Sequence, residues 1–232
     1  MARKERKENR TNPVSLITLV DPSSPVSEQY RTIRTNIQFA SSIDRKLQTL
    51  VVTSSGPSEG KSTTAANLAV VFAKSGQRVL LVDADMRKPT VFKTFQLTNE
   101  VGLSTVLSTS TRIDNAAQKT SVENLSVLTS GPKPPNPSEL LGSMRMDQVI
   151  KEARNLYDII IFDMPPIVAV TDAQIMASKV DGTLLVVREN VTKKESVTKA
   201  RELLQLVNAR VLGVVYNGAE QSKDQGYYYY SS

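Results

Sequence analysis

Five side chains in this chain have the types and spacing to do chemistry together: one lysine, one hydroxyl and three carboxylates. Lys61 and Ser62 close the loop Ser55, Gly56, Pro57, Ser58, Glu59, Gly60, and Thr63 continues into a stretch of helix formers. The loop follows the phosphate-binding pattern G-x-x-x-x-G-K-[ST] except at its first position, where Ser55 stands in place of glycine and Gly56 comes one residue later. In such a loop the backbone amides and the positive end of the helix face phosphate, and Lys61 adds a full charge to the roughly half charge of the helix dipole. Gly60 lets the backbone approach closely, and the Ser62 hydroxyl can ligate Mg²⁺. Asp83 and Asp85 follow the run VLLV, and Asp163 follows IIIF. Ligands of parallel sheets bind outside the carboxyl ends of the strands, so these three carboxylates should converge on the loop and hold a hard cation.

Other chemistry is excluded by composition. The 232 residues contain neither cysteine nor histidine, which removes thiolate nucleophiles, imidazole bases, disulfides and zinc fingers from this chain. Any metal sits on oxygen. The formal charge of +6 suits a nucleotide, nucleic acid or an anionic membrane surface, and equally suits solubility. No apolar run approaches the roughly 18 to 20 residues that span a bilayer, and the start MARKERKENR lacks the apolar stretch of a signal peptide, so the expected compartment is the cytoplasm.

The elements that must position these residues follow from hydropathy. Apolar runs at 50–52, 79–82, 159–162, 183–187 and 211–215 alternate with amphipathic stretches, and continuous branched runs suit strands buried on both faces of a parallel sheet. Helices are expected over 61–75, closed by Gly76, and over 193–207, where Val197, Ala200, Leu203, Leu204 and Val207 form one stripe. Ser24 and Pro25 fit an N-cap and first helical position, and Tyr30, Ile33 and Ile37 then predict a helix to about Ala40. The fold class is α/β, a doubly wound, mostly parallel sheet flanked by helices. The segment 98–147 is less regular, and GPKPPNP at 131–137 suits neither helix nor central strand. Residues 1–22 read as a flexible basic arm, 23–217 as one phosphate-binding domain and 218–232 as a disordered, tyrosine-rich tail.

Four consecutive tyrosines, Tyr227, Tyr228, Tyr229 and Tyr230, lie in that tail beside glycine, serine and charged residues rather than in an apolar pattern. They read either as phosphoacceptors for the nucleotide site or as an aromatic stacking platform. On the first helix, Glu28, Arg31 and Arg34 recur every three residues on a side separate from Ile33 and Ile37.

GPSEGKST, LLVDADMRKP and IIIFDMPP resemble the Walker A, Walker A′ and Walker B motifs of the bacterial tyrosine kinases, cytoplasmic kinases of capsule and exopolysaccharide synthesis. The resemblance runs from about Glu28 to the tail and includes SGPKPPNPSELL at 130–141. It implies ATP and Mg²⁺ as cofactors, with Lys61 on the β and γ phosphates, Ser62 and Asp163 serving the magnesium, and Asp83 and Asp85 shaping the metal site and catalysis. Asp83 is the family's candidate base for the tyrosine hydroxyl. A carboxylate near pKa 4 is a poor base for a phenol near 10, so positioning and charge neutralisation should contribute more. The resemblance further implies that Tyr227 to Tyr230 accept phosphate and that E-x-x-R-x-x-R, here Glu28, Arg31 and Arg34, assembles subunits head to tail into a ring. The implied partners are a separate transmembrane adaptor, which would hold the kinase at the inner face of the membrane, a cognate phosphatase and external protein substrates; nucleic acid is not expected. Asn217 resembles the asparagine that reads adenine in related ATPases, and reads equally as a turn residue before Gly218. The alternatives are a partition or septum-positioning ATPase, which usually carries a second lysine where Gly56 stands here, and a non-catalytic switch controlled by ATP.

Overall fold

The computed structural model describes residues 13–40 and 47–219. One helical turn, α1 (Ile17–Val20), precedes the long α2 (Pro25–Ala40); the chain then enters the sheet at β1 (Thr49–Ser54), crosses through α3 (Lys61–Lys74) and returns as β2 (Val79–Asp83). Short elements follow: α4 (Val91–Thr94), α5 (Leu103–Ser108), α6 (Ile113–Ala116), β3 (Gln118–Lys119) and β4 (Leu125–Leu128). Regular alternation resumes with α7 (Pro137–Gly142), α8 (Met144–Leu156), β5 (Ile159–Asp163), α9 (Asp172–Ala177), β6 (Gly182–Arg188), α10 (Lys194–Leu206) and β7 (Val211–Asn217). The sheet order is β3-β4-β2-β5-β1-β6-β7, with every neighbouring pair parallel except β3 with β4. The expected doubly wound, mostly parallel sheet is therefore the fold.

Cover on both faces explains the continuous apolar runs of β1, β2, β5 and β6; the run at 211–215, expected to be buried likewise, forms the edge strand β7, where Val211 and Val214 are exposed. Val51, Leu80, Ile160 and Phe162 pack with α5, α8, α9 and α10, whereas Leu50, Val52, Leu81 and Ile161 pack with α2 and α3. Successive strand residues point to opposite faces, so a strand covered on both must be apolar throughout. The α2 start is capped as expected: Ser27 N donates to Ser24 Oγ at 3.2 Å. Helix α3 is buried from Thr64 to Ala73 and ends at Gly76, whose φ of +87° turns the chain out of the helix.

Two expectations change. Residues 13–22, expected as the end of a flexible arm, pack instead against the body. Thr18 is buried, and both its N and Oγ1 donate to Asn67 Oδ1, at 3.0 and 2.8 Å. Asn67 Nδ2 donates in turn to Ser15 O at 2.8 Å, and Lys74 Nζ to Thr18 O at 2.8 Å. Residues 1–12 lie outside the described residues. The irregular segment 98–147 holds a buried parallel strand, β4, beside β2, and Pro137, the last proline of GPKPPNP, opens α7 where its missing N–H costs nothing.

Because the strands are parallel, their carboxyl ends share one edge. Asp83 pairs in register with Asp163, Val52 also pairs with Asp163, and Arg188 pairs with Asn217. Ser54 ends β1 on the same edge, between β5 and β6. That edge carries the site.

Candidate active site

The loop from Ser55 to Gly60 is held by its own side chains. Glu59 is buried and its carboxylate turns inward, accepting from Ser55 N at 2.9 Å and Ser55 Oγ at 2.8 Å. Serine at the first position of the pattern thus supplies a hydroxyl to close the loop. Glu59 contributes backbone, rather than charge, to the phosphate side. Gly60 has φ +98°, and a Cβ there would lie 2.0 Å from Asn217 Nδ2, so a larger residue would be strained and would displace the Asn217 amide. Asn217 Nδ2 donates to Glu59 O at 3.1 Å, which joins the end of β7 to the loop. Ser58 takes φ +62°, a conformation that costs a non-glycine residue roughly 1 kcal/mol or more, and Arg188 Nη1 donates to its carbonyl at 3.1 Å.

A cavity of about 390 Å³ opens over this loop, lined by Pro57, Ser58, Gly60, Lys61, Ser62 and Thr63. Asp85, Lys88, Thr90 and Val14 complete it on the β2 side, Pro166 and Arg188 on the other. Asp83, Asp163, Gly56, Glu59 and Asn217 stand behind this lining rather than in it.

The expected lysine and carboxylates do converge. Lys61 Nζ lies 2.9 Å from Asp85 Oδ2, 3.6 Å from Asp163 Oδ1 and 3.3 Å from Ser62 Oγ. Burial works against the lysine charge, but Asp163, Asp85 and Asp83 outweigh it and hold its pKa above the ordinary value. Asp83 is fully buried, and its Oδ2 accepts from the amides of Thr90 at 3.1 Å and Val91 at 3.0 Å. Burial, followed by repulsion from Asp163, drives the Asp83 carboxyl well above the usual range, with the Val91 amide and Lys61 opposing. Burial also raises Asp163, while Lys61 and the nearby Ser62 pull it back.

One lysine cannot neutralise three carboxylates, and the unmet demand is visible in single atoms. Asp83 Oδ1 and both oxygens of Asp163 are buried without a hydrogen-bond partner. Carboxylate oxygens buried without a hydrogen bond, with only the 3.6 Å ion pair from Lys61 to Asp163 Oδ1 beside them, are costly unless a further cation meets them. Among the described residues no three acidic side chains come close enough to cage an ion alone. The donor set therefore fits Mg²⁺, which binds through one or two protein oxygens and completes its shell with water and phosphate.

Of the remaining expected residues, Glu28 and Arg31 form an exposed ion pair on α2, with Arg31 also donating to Pro22 O, and Arg34 Nη1 donates to Val71 O of α3 at 3.3 Å. None of the three lines the cavity. Tyr227 to Tyr230 lie outside the described residues. Sequence reasoning missed Val14, Lys88, Thr90 and Arg188. Arg188 could have been found, because it follows a buried run at a strand end just as Asp83 does.

A glycine-containing loop at the carboxyl edge of a parallel sheet, opening a helix with Lys-Ser and facing a strand-end aspartate, defines a P-loop nucleotide-binding protein. The AAA domain family matches the chain over residues 49–211. The tyrosine-protein kinase YwqD of Bacillus subtilis is 51% identical over 218 residues, covering 94% of this chain and 92% of that protein. Among solved structures, the chimerical protein CapA2B2 is 42% identical with a TM-score of 0.83, covering 88% of this chain and 91% of the other. The kinase domain of the Escherichia coli tyrosine kinase ETK is 32% identical, also with a TM-score of 0.83, covering 95% and 87%. The chain belongs to the bacterial tyrosine-protein kinase family, and its P-loop site is a kinase site.

Proposed function

We propose that the chain is an ATP-dependent protein-tyrosine autokinase that phosphorylates Tyr227 to Tyr230 on a neighbouring copy and regulates capsular or exopolysaccharide synthesis and export. The observation that carries this reading is Lys61 resting among Asp85, Asp163 and Ser62 in the P-loop cavity. The lysine is stored on carboxylates from which it can move to the β and γ phosphates of ATP. Thr63 and the first turn of α3 would meet the remaining phosphate charge, and the adenine would lie toward the β6–β7 end, where Arg188 pairs with Asn217. Asp163 and Ser62 would hold Mg²⁺, which neutralises charge on the transferring phosphate; Asp83 and Asp85 complete the acidic shell.

In the transfer itself, the phenolic oxygen forms a bond to the γ-phosphorus as the bond to the bridging oxygen of ADP breaks, and the phenolic proton passes to water. Asp85 faces the cavity, whereas Asp83 is buried behind it with one oxygen held by two amides. Orientation of the hydroxyl therefore falls to Asp85 once Lys61 has moved, with Asp83 as its support.

Transfer between copies is favoured by the arginine-bearing face of α2, where Glu28, Arg31 and Arg34 would meet the next subunit of a ring. The tail leaves β7 at Gly218 on the catalytic edge, and the nine residues 218–226 can span about 30 Å, so reach alone permits either copy. Four phosphotyrosines would add about −6 to −8, enough to offset the +6 of the chain and drive the tail from phosphate-filled sites. Among the described residues no helix is long and apolar enough to cross a membrane. Attachment to the inner face of the membrane is assigned to a transmembrane adaptor, assisted by the five basic residues from Arg3 to Arg10 at about 1 kcal/mol each.

The test mixes a Lys61→Met chain that keeps its tyrosines with an active chain whose Tyr227 to Tyr230 are phenylalanine, in Mg²⁺ and ATP, and follows intact mass. Phosphate should appear on the Lys61→Met chain. Its absence there, while the unmodified protein labels itself, defeats transfer between copies; free phosphate release with no labelled protein defeats the kinase reading.

A further inference from the structure

The cleft over the sheet has two chemically different ends. Running along the carboxyl edge in sheet order, it starts at β2 with Asp85, Lys88 and Thr90, passes Pro166 after β5 and the P-loop after β1, and ends at Arg188, the last residue of β6. Lys61 leans toward the β2 end, onto Asp85, so the terminal phosphate belongs there and the base toward Arg188 and Asn217. Phosphoryl transfer places attacking and leaving oxygens roughly in line. The acceptor must then enter beyond Asp85, from the end walled by Val14, Lys88 and Thr90.

Val14 is the unexpected member of that wall. It is half-buried in a lining otherwise made of polar, proline and glycine residues, and supplies the cavity's one branched aliphatic surface among the described residues. Its position is fixed from three sides. Val14 N donates to Thr94 Oγ1 at 3.1 Å, directly beyond the Thr90–Val91 turn that grips Asp83. Ser15 O accepts from Asn67 Nδ2, which also donates to Thr63 O in the first turn of the P-loop helix at 2.9 Å. Thr18 fills the other side of the same asparagine. A strap so anchored holds an apolar side chain still beside the place where a phenol must arrive.

We propose that Val14 is a substrate-positioning residue of the kinase, packing against the ring of the acceptor tyrosine while Lys88 and Thr90 form the opposite side of its entrance. The inference rests on the kinase reading above. It makes the N-terminal strap part of acceptor recognition and leaves ATP binding to the P-loop and the Arg188 end. An apolar contact of this size in a partly open site is worth about tenfold in substrate discrimination.

The full chain is assayed with Mg²⁺, ATP and a synthetic peptide of residues 218–232 as acceptor, in a background in which the chain's own Tyr227 to Tyr230 are phenylalanine. Val14→Ser should raise KM for the peptide about tenfold and leave KM for ATP within twofold, and Val14→Ile should restore the peptide KM. Arg188→Ala should show the opposite split, with KM for ATP raised and KM for the peptide little changed. Val14 is part-buried and also packs against the apolar cluster under α3, so Val14→Ser should melt below the parent while staying folded at the assay temperature, and Val14→Ile, which keeps the apolar contact, provides the second reading. Unchanged peptide KM in Val14→Ser, or a rise in KM for ATP instead, overturns the proposal while leaving the kinase reading standing. A parent protein that binds ATP and labels no peptide defeats the kinase reading itself.

Discussion

Arg87→Met should lower the melting temperature of the nucleotide-free protein by about 6–12 °C. Asp172 opens α9 with none of its surface exposed, and its carboxylate accepts from Arg87 Nε at 3.0 Å, Arg87 Nη2 at 2.9 Å and Ser138 Oγ at 2.7 Å. Methionine keeps most of the aliphatic bulk and removes the guanidinium, leaving a buried negative charge with one hydroxyl. Breaking a buried pair this way costs about 3–5 kcal/mol, and the lower end applies because the Arg87 side chain is 37% exposed and water can reach the gap. For a chain of this length each kcal/mol moves the midpoint by about 2–4 °C. The equivalent change at Arg112, whose partner Asp114 is 41% exposed, should move it by about 2 °C or less. Thermal and urea unfolding in chelator measure both. Adding Asp172→Asn to Arg87→Met should recover much of the loss, because a neutral amide needs no counter-charge. Melting of Arg87→Met within 2 °C of the parent, or no recovery in the double variant, would refute the assignment of the pair as a buried lock between the Walker A′ loop and the helix that follows Walker B.

Lys61→Met should cut phosphoryl transfer at least about 100-fold with the fold retained, and its melting point should rise more on adding Mg²⁺ than the parent's does, because its carboxylates have lost their cation; intact mass and thermal melts test the two parts. Asp163→Asn should raise the Mg²⁺ concentration needed for half-maximal labelling about tenfold or more, and an unchanged Mg²⁺ curve would remove it from the metal site. Asp181 is held below the ordinary aspartate pKa: burial raises it, but Arg154 and the Gln48 and Thr49 donors outweigh burial. Its folded pKa is depressed, so its stabilisation is full above the unfolded value near 4 and is lost as pH falls through the folded one. Asp181→Asn should therefore be less stable than the parent at pH 7, with the gap narrowing steadily as pH falls below the unfolded value; a gap that stays constant throughout the acid range would contradict the charge argument.

How much of this was legible depended on how local each determinant is. The four runs that became β1, β2, β5 and β6 were readable because a strand covered on both faces must be apolar at every position, a constraint written in consecutive residues, whereas the equally apolar run of β7 forms an edge strand with Val211, Val214 and Tyr216 exposed. β4 was not, since Leu125, Ser126, Val127 and Leu128 include a half-exposed serine and lie in a segment rich in turns. α8 carries a usable signal, with Met146, Val149, Ile150 and Ala153 at helical spacing behind the Ser143 cap, but it sits against the irregular stretch that obscured it. Ser55 looked like a departure from the loop pattern because its partner, Glu59, belongs to the variable part of that pattern.

The site divides along the same line. A chain leaving a buried strand reaches the sheet edge within a residue, so a charged or amide side chain there costs the core little and meets its neighbours at the same height. That is why Asp83 and Asp163 could be named from position, while Asn217 was named through a resemblance that left a turn residue equally open, and why Arg188 should have been found. Val14 obeys no such rule. It reaches the cavity through contacts to Thr94, 80 positions away, and through Thr18 to Asn67, 49 positions away, and neither spacing leaves a periodic mark in the sequence. Residues drawn into a site by long-range docking of a terminal strap are the ones that local reading will pass over. Leu16, Ile17 and Thr18 tie the strap to the core, so under the proposed role of Val14 a change of acceptor preference falls to that one side chain while the phosphate chemistry stays fixed.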